Sequence, residues 1–464
     1  MQETPRTPIV ELLLLALPTV AQMASYTVMQ FIDTWMLSHH GGMAPTAASN
    51  SGMLAFSLIS FGTGVLLVVN TLVSQSFGRD DFAQCGRYLW QGIWFGLIFG
   101  VALVPLRVFA GPMFAVFHHS PELAAMEASY YRIVLLSAAI KLISTAVGQF
   151  LLGINRPNAV LVSAMIGVSF NALAAWCIVL GHFGFRPMGV EGAAWAQNFG
   201  VTCEMITIGV LALQPSIRRQ FHVLAMAIRP RQMAMLLRIG LPTGLQLSSD
   251  ILAWAIFCNG VIGMLGVAAM AGNTFMLRYL VVSFMPAYGL AAAVTALVGR
   301  YIGAGRPDIA ARRAHLGFAV TLVYVIACGL IFVFFRHQLM RAFIDDPEIV
   351  RIGSIYLIYG AIYELFDAMY ITYNGALRGA GDTLVPTLVM AVLCWSISIA
   401  GGYAVVKWVP SMGVGGPWLM GCVYGAILGI YMIVRFNRGR WRDIHLDTNA
   451  NSNVELASAT LAPN

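Results

Sequence analysis

The feature that most constrains this chain is a succession of apolar runs, each about 20 residues or longer, separated by short polar connections. Hydrocarbon offers no partners to backbone N–H and C=O groups, so a run of about 20 apolar residues that crosses a bilayer must satisfy those groups internally as a helix. Composition agrees: the 464 residues are 59% hydrophobic and only 10% charged, with a mean hydropathy of +0.76. A soluble domain carries about 25% charged residues. The expected spans are 9–37, 51–77, 88–117, 130–152, 159–181, 190–213, 240–265, 273–298, 315–335, 351–376, 384–407 and 414–435. The first run is too long for the apolar core of a cleaved signal and reads as the first membrane helix. The expected fold is therefore an all-α membrane protein of about twelve transmembrane helices.

Charge sets the orientation. With the amino terminus inside, 18 Lys and Arg fall on the cytoplasmic side and seven on the other, leaving Lys141 and Arg278 within the membrane. That asymmetry obeys the positive-inside rule and puts both termini in the cytoplasm of a cell with an inner membrane. The net charge of +7 is dispersed in short clusters between spans, which argues against a nucleic-acid partner. The seven cysteines form no CxxC pair and read as small apolar residues, so neither disulfides nor a tightly bound metal is expected.

Sliding the chain against itself by 223 to 226 residues exposes a tandem repeat. Leu17-Pro18-Thr19 with Gln22 answers Leu241-Pro242-Thr243 with Gln246, and Leu72-Val73 with Gly78 and Arg87 answers Leu297-Val298 with Gly303 and Arg312. Pro121-Glu122 with Tyr130 answers Pro347-Glu348 with Tyr356, Leu152-Gly153 answers Arg378-Gly379, and Met188-Gly189-Val190 answers Met412-Gly413-Val414. Each repeat holds an even number of spans, so both enter the membrane in the same sense. The expected organisation is an amino-terminal six-helix lobe (1–213), a cytoplasmic linker (214–239), a carboxy-terminal six-helix lobe (240–437) and a polar tail (438–464). Two such pseudo-symmetric bundles around a central cavity can rock and expose it to each side in turn. Pro18, Pro242 and Pro286 inside helices supply kinks suited to that motion.

A charge at mid-membrane costs about 2.5 to 3.5 kcal/mol on the lenient insertion scale, so each one needs a reason. Asp33 in helix 1, Asp250 in helix 7, and Glu364 and Asp367 in helix 10 stand out. The acids of helices 1 and 7, equivalent elements of the repeat, are expected to face a plane shared by the two lobes. Helical spacing groups Gln22, Tyr26 and Met29 with Asp33, Gln246 with Asp250, and Tyr370 and Asn374 with Glu364 and Asp367. Carboxylate and amide oxygens suit Na⁺, and paired carboxylates in a low dielectric suit H⁺, so either ion can couple. Each acid can instead be a structural partner of a buried base, for which Arg278 is the candidate. Asn171, Lys141, Gln149, Glu204 and Asn259 are further polar residues within spans. No Walker A loop, HExxH or GxSxG context occurs, so no enzyme and no cofactor is expected and energy must come from an ion gradient.

These residues resemble the multidrug and toxic compound extrusion (MATE) family over about 9–437. The resemblance is carried by Ala16-Leu17-Pro18 and Phe31-Ile32-Asp33-Thr34, by Val298-Gly299-Arg300 through Gly303-Ala304-Gly305, and by Gly375-Ala376-Leu377-Arg378-Gly379 through Asp382-Thr383. It is to the NorM-type branch and implies cation coupling at Asp33, Asp250 and Asp367, a polar role for Asn171, and Na⁺- or H⁺-driven antiport of cationic drugs. Ala175, Arg300 and Arg278 depart from the family pattern. The resulting expectation is a monomeric antiporter, surrounded by membrane lipid, that exports small organic and amphipathic cations. The alternatives are a flippase for a lipid-linked precursor on the same fold, or a non-transporting scaffold.

Overall fold

The computed structural model describes residues 7–38, 43–115, 120–184, 186–444 and 446. Its long helices are α1 Pro8–Ser38, α2 Ala44–Gly78, α3 Phe82–Ala115, α4 Pro121–Gly153, α5 Pro157–Ile178, α6 Gly189–Ala212, α7 Pro230–Leu265, α8 Val267–Gly303, α9 Pro307–Phe334, α10 Pro347–Ala380, α11 Leu384–Trp408 and α12 Pro410–Asn437. They form two pseudo-symmetric bundles, α1–α6 and α7–α12. Eleven of the twelve are long and apolar enough to cross a membrane; the exception is α6. Its Asn198 and Glu204 are buried against neighbouring helices, so its polarity is spent inside the bundle rather than on lipid.

All the helices but α11 begin earlier than the apolar runs do, because capping residues and polar first turns extend them beyond the apolar stretch. Prolines at the first helical turn open α4, α5, α7, α9 and α10, where a missing N–H costs nothing. The last two residues of the expected third span, 116–117, lie outside the described residues, as do 1–6 and 447–464. Residues 440–443, at the start of the expected polar tail, form a short 3₁₀ turn that buries Trp441 against Phe436. The linker is ordered too. Its segment 223–229 runs along α3, whose Trp90 and Trp94 indoles donate to the carbonyls of Val223 and Met226 while Gln91 bonds both Ala227 and Arg229.

The bundles meet at the face where α1 begins and α12 ends, and the repeat is visible in how they touch. A Cβ at Gly64 of α2 would lie 2.7 Å from the Thr243 carbonyl oxygen and Gly244 Cα of α7; at the equivalent Gly289 of α8 it would lie 2.9 Å from Val20 N of α1. Farther toward that face, Gly78 abuts the Arg300 carbonyl and its equivalent Gly303 abuts the Gln75 carbonyl. Such reciprocal contacts are what a two-fold relation between like surfaces generates. Small residues let helix backbones approach closely, which is how membrane helices associate without a hydrophobic drive. Polar bonds finish the seal. Thr19 Oγ1 donates to the Gly289 carbonyl at 2.8 Å, Thr71 Oγ1 to that of Arg378 at 2.9 Å and Gln75 Nε2 to that of Gly379 at 2.9 Å.

The polar contacts break the symmetry, and one of them carries charge. Glu11 of α1 accepts from Tyr301 of α8 at 2.7 Å and from Arg313 Nε of α9 at 2.8 Å, a half-buried ion pair across the two bundles. The repeat equivalents, Met235, Ser76 and Tyr88, cannot form it. Replacing Glu11 by Gln keeps the shape and removes the charge. It is expected to cost the sealed state about 1 to 3 kcal/mol, the scale of a charge-assisted bond. The check is labelling of a cysteine placed at Ser74, wholly buried against Gly299 of α8, which should become faster in Glu11→Gln than in the parent.

Candidate functional site

Beyond the seal, the polar residues gather in two clusters, one in each bundle. In the first, Asp33 accepts a 2.8 Å hydrogen bond from Asn171 Nδ2 of α5. Asn171 is fully buried, and its Oδ1 has no partner. It reaches this place because α5 and α6 cross closely: a Cβ at Gly200 would stand 2.7 Å from Asn171 Cβ, and one at Gly167 would stand 2.8 Å from Glu204 Cβ. Two turns nearer the seal on α1, the Tyr26 hydroxyl donates to Glu204 Oε1 at 2.5 Å and receives a long 3.5 Å contact from Gln22 Nε2. The Lys141 ammonium of α4 sits 5.1 Å above the Tyr26 ring. Met29, between the two pairs, is partly exposed.

The second cluster centres on α10. Asp367 is 8% exposed and bonded by Tyr363, one turn earlier on the same face, and it lies in electrostatic reach of Asp250 on α7 and of Glu364. Asp250 in turn acts on the Tyr363, Tyr370 and Tyr424 hydroxyls. Glu364, 5% exposed, accepts 2.7 Å from Ser283 of α8 through Oε2, while Oε1 has no partner. Gln246 Nε2 donates to the Tyr370 hydroxyl at 3.1 Å and to Asn374 Oδ1 at 3.4 Å, linking α7 to α10. Trp254, Phe257, Tyr363 and Trp418 pack edge to face around a void of about 10 Å³ that Cys394 and Tyr424 also line. That space is the size of one water or a bare small ion.

Asp33 is bonded to Asn171 of its own bundle, Asp250 lies in electrostatic reach of Asp367 and Tyr363 of its own, and among the described residues no polar contact joins the clusters. One expectation needs correction. Arg278 is exposed on α8 and makes no ion pair with Asp250 or Asp367 among the described residues. Asp367 is met instead by the neutral donor Tyr363. Tyr363 was legible as the residue four before Asp367; Glu127, wholly buried and bonded to Asn50, lies outside the expected span 130–152 and so escaped notice.

The sequence profile of the MatE family matches residues 18–177 and 251–404. Among curated relatives, the chain is 24% identical to the probable multidrug resistance protein NorM of Thermotoga maritima, covering 93% of this chain and 92% of that protein. It is 27% identical to the multidrug resistance protein PmpM of Pseudomonas aeruginosa, over 86% and 84% respectively. Among solved structures, a MATE in the straight conformation superposes with a TM-score of 0.85 at 18% identity, over 95% of this chain and 98% of that one. An outward-facing multidrug resistance MATE family transporter gives 0.83 at 18% identity, over 94% and 96%.

Ser283→Ala strips Glu364 of the one side-chain donor to its carboxylate among the described residues. The variant should unfold about 1 to 3 kcal/mol more easily, the cost of a buried acceptor left unmet. Thermal unfolding in detergent measures it, and the double variant Ser283→Ala/Glu364→Leu should recover most of the loss.

Proposed function

The chain belongs to the MatE family, and from that premise we propose that it is an inner-membrane antiporter that exports small organic, amphipathic cations by alternating access, driven by Na⁺ or H⁺. The observation that carries the reading is the pair of acid clusters. Asp367 and Glu364 in one bundle, and Asp33 in the other, are held by Tyr363, Ser283 and Asn171, which are uncharged donors, and not by arginine or lysine, and Asp250 lies in electrostatic reach of Asp367. A carboxylate with neutral partners in a low-dielectric interior is a place where a small cation gains most by binding.

Position supports the mechanism. Counting about 1.5 Å per residue, Asp250 stands about 10 Å beyond Thr243 at the seal, Asp367 about 16 Å beyond Arg378, and Asp33 about 21 Å beyond Thr19. With the positive-inside orientation the seal is cytoplasmic, so this is the outward-open state, with both termini inside. Ions arriving from outside meet the acids first. An ion bound there favours the state that holds it best, while substrate arriving from the cytoplasm favours the other, and coupling follows from that differential affinity. The relatives' names as multidrug resistance proteins support an organic substrate, and the chain is read as working as a monomer.

In proteoliposomes with Na⁺ and H⁺ gradients imposed separately, the wild type should expel a fluorescent organic cation under one of them. Asp250→Asn and Asp367→Asn should each lower gradient-driven efflux at least about tenfold, as expected when one side of a charged, desolvated contact is lost, with thermal unfolding unchanged. Gradient-driven efflux at the wild-type rate in both variants would end the coupling role.

A further inference from the structure

Lys141 lies 12 residues from the end of α4 at Gly153, about 18 Å along the axis, too far for its side chain to carry the ammonium to the membrane surface. An ammonium left inside needs compensation, and the obvious one, an ion pair, is missing: no carboxylate lies within 4 Å of Lys141 among the described residues. Its partner is the face of Tyr26, 5.1 Å away, whose hydroxyl is given to the Glu204 carboxylate. Glu204 is 7% exposed, and Gln22 closes the base of the cluster at 8%. An aromatic face backed by a buried carboxylate is the arrangement that recognises organic cations. Here a cation supplied by the chain already sits on it.

We propose that Tyr26 and Glu204 form an organic-cation subsite in the amino-terminal bundle and that Lys141 is its tethered occupant, setting which substrate charge the subsite accepts. This rests on the transport reading and deepens it. With Lys141 in place, the carboxylate is already offset, so a monovalent cation must displace the ammonium from the ring before it can bind. Neutral aromatic molecules bear no such penalty. The subsite shares its face of α1 with Asp33, seven residues and about 10 Å away. Substrate at Tyr26 and an ion at Asp33 therefore act on one helix, each through a bond to a neighbour in the same bundle, Glu204 of α6 and Asn171 of α5.

The subsite is tested by equilibrium binding of ethidium and of its neutral relative phenanthridine to the full-length protein in nanodiscs, without any gradient. Lys141→Met keeps the apolar stem and removes the charge; Lys141→Gln serves as a second variant should the first fold poorly. Either should bind ethidium about tenfold tighter than the wild type, the scale of one desolvated cation–π contact, with phenanthridine unchanged. Lys141→Arg should behave as wild type, and adding Tyr26→Leu to Lys141→Met should erase the gain. Equal ethidium affinity in wild type and both charge-removing variants, an equal gain for phenanthridine, or no binding by any of the proteins would overturn the proposal. Gradient-driven efflux by the wild type, measured separately, tells the two failures apart. Efflux with no Lys141 effect sinks the subsite alone, whereas the Lys141 effect without efflux sinks the transport reading alone.

Discussion

A carboxylate drawn into a membrane helix bundle must be answered by something, and the kind of answer divides this molecule into two parts. At the face where the bundles meet, acids are answered by arginine: Glu11 by Arg313, and Asp382 by a bidentate bond to Arg435 with both contacts at 2.8 Å. Those pairs are complete in themselves, and the fork of Arg435 makes the second rigid. Deeper in, the answer is neutral: Asn171 for Asp33, Tyr363 for Asp367, Ser283 for Glu364. Neutral donors hold the carboxylate in place and leave its charge uncancelled. The first arrangement builds a wall, and the second leaves room for a mobile cation.

The wall itself follows from the repeat. Because the two bundles descend from one sequence, a glycine needed at one crossing reappears at its equivalent, and Gly64 with Gly289, like Gly78 with Gly303, lets each bundle approach the other by the same route. Contacts made in reciprocal pairs open and close together, which suits a seal that must part as a unit. Glu11, Tyr301 and Arg313 lie outside this symmetry. An ion pair of this kind, with the carboxylate 16% and the guanidinium 13% exposed, is screened less than a surface pair and adds a bias toward the sealed state that the duplicated packing alone does not contain.

Much of this was legible in the amino-acid sequence, and the failures have a common cause. Apolar runs reveal helices because the solvent is hydrocarbon, and the offset of 223 to 226 residues reveals the repeat because equivalent crossings need equivalent residues. Asp33, Asp250, Glu364 and Asp367 announce themselves by their cost. What a one-dimensional pattern does not carry is the rotation of each helix about its axis. Arg278 looked like a counter-ion for Asp250 or Asp367, yet it turns outward, and Asp33 meets Asn171, a partner that no spacing along α1 announces. Glu204 carried little signal because α6 is only moderately apolar, so one more polar residue there stood out less than a carboxylate in α1.

The same rotation explains why α1 can join events that do not touch. Along one helix, Glu11 and Thr19 bind the other bundle at the seal, while Tyr26 and Asp33 bind α6 and α5 of their own. Pro18 stands between Glu11 and the upper pair, where the helix lacks a backbone bond and bends most cheaply. In the proposed cycle, a cation that takes Asp33 from Asn171 would loosen the upper half of α1 from its bundle without touching the seal, and bending at Pro18 would then let the two halves reorient separately. Coupling between a deep acid and a distant closure thus needs no chain of charges between them, because a single helix with one weak point holds both ends.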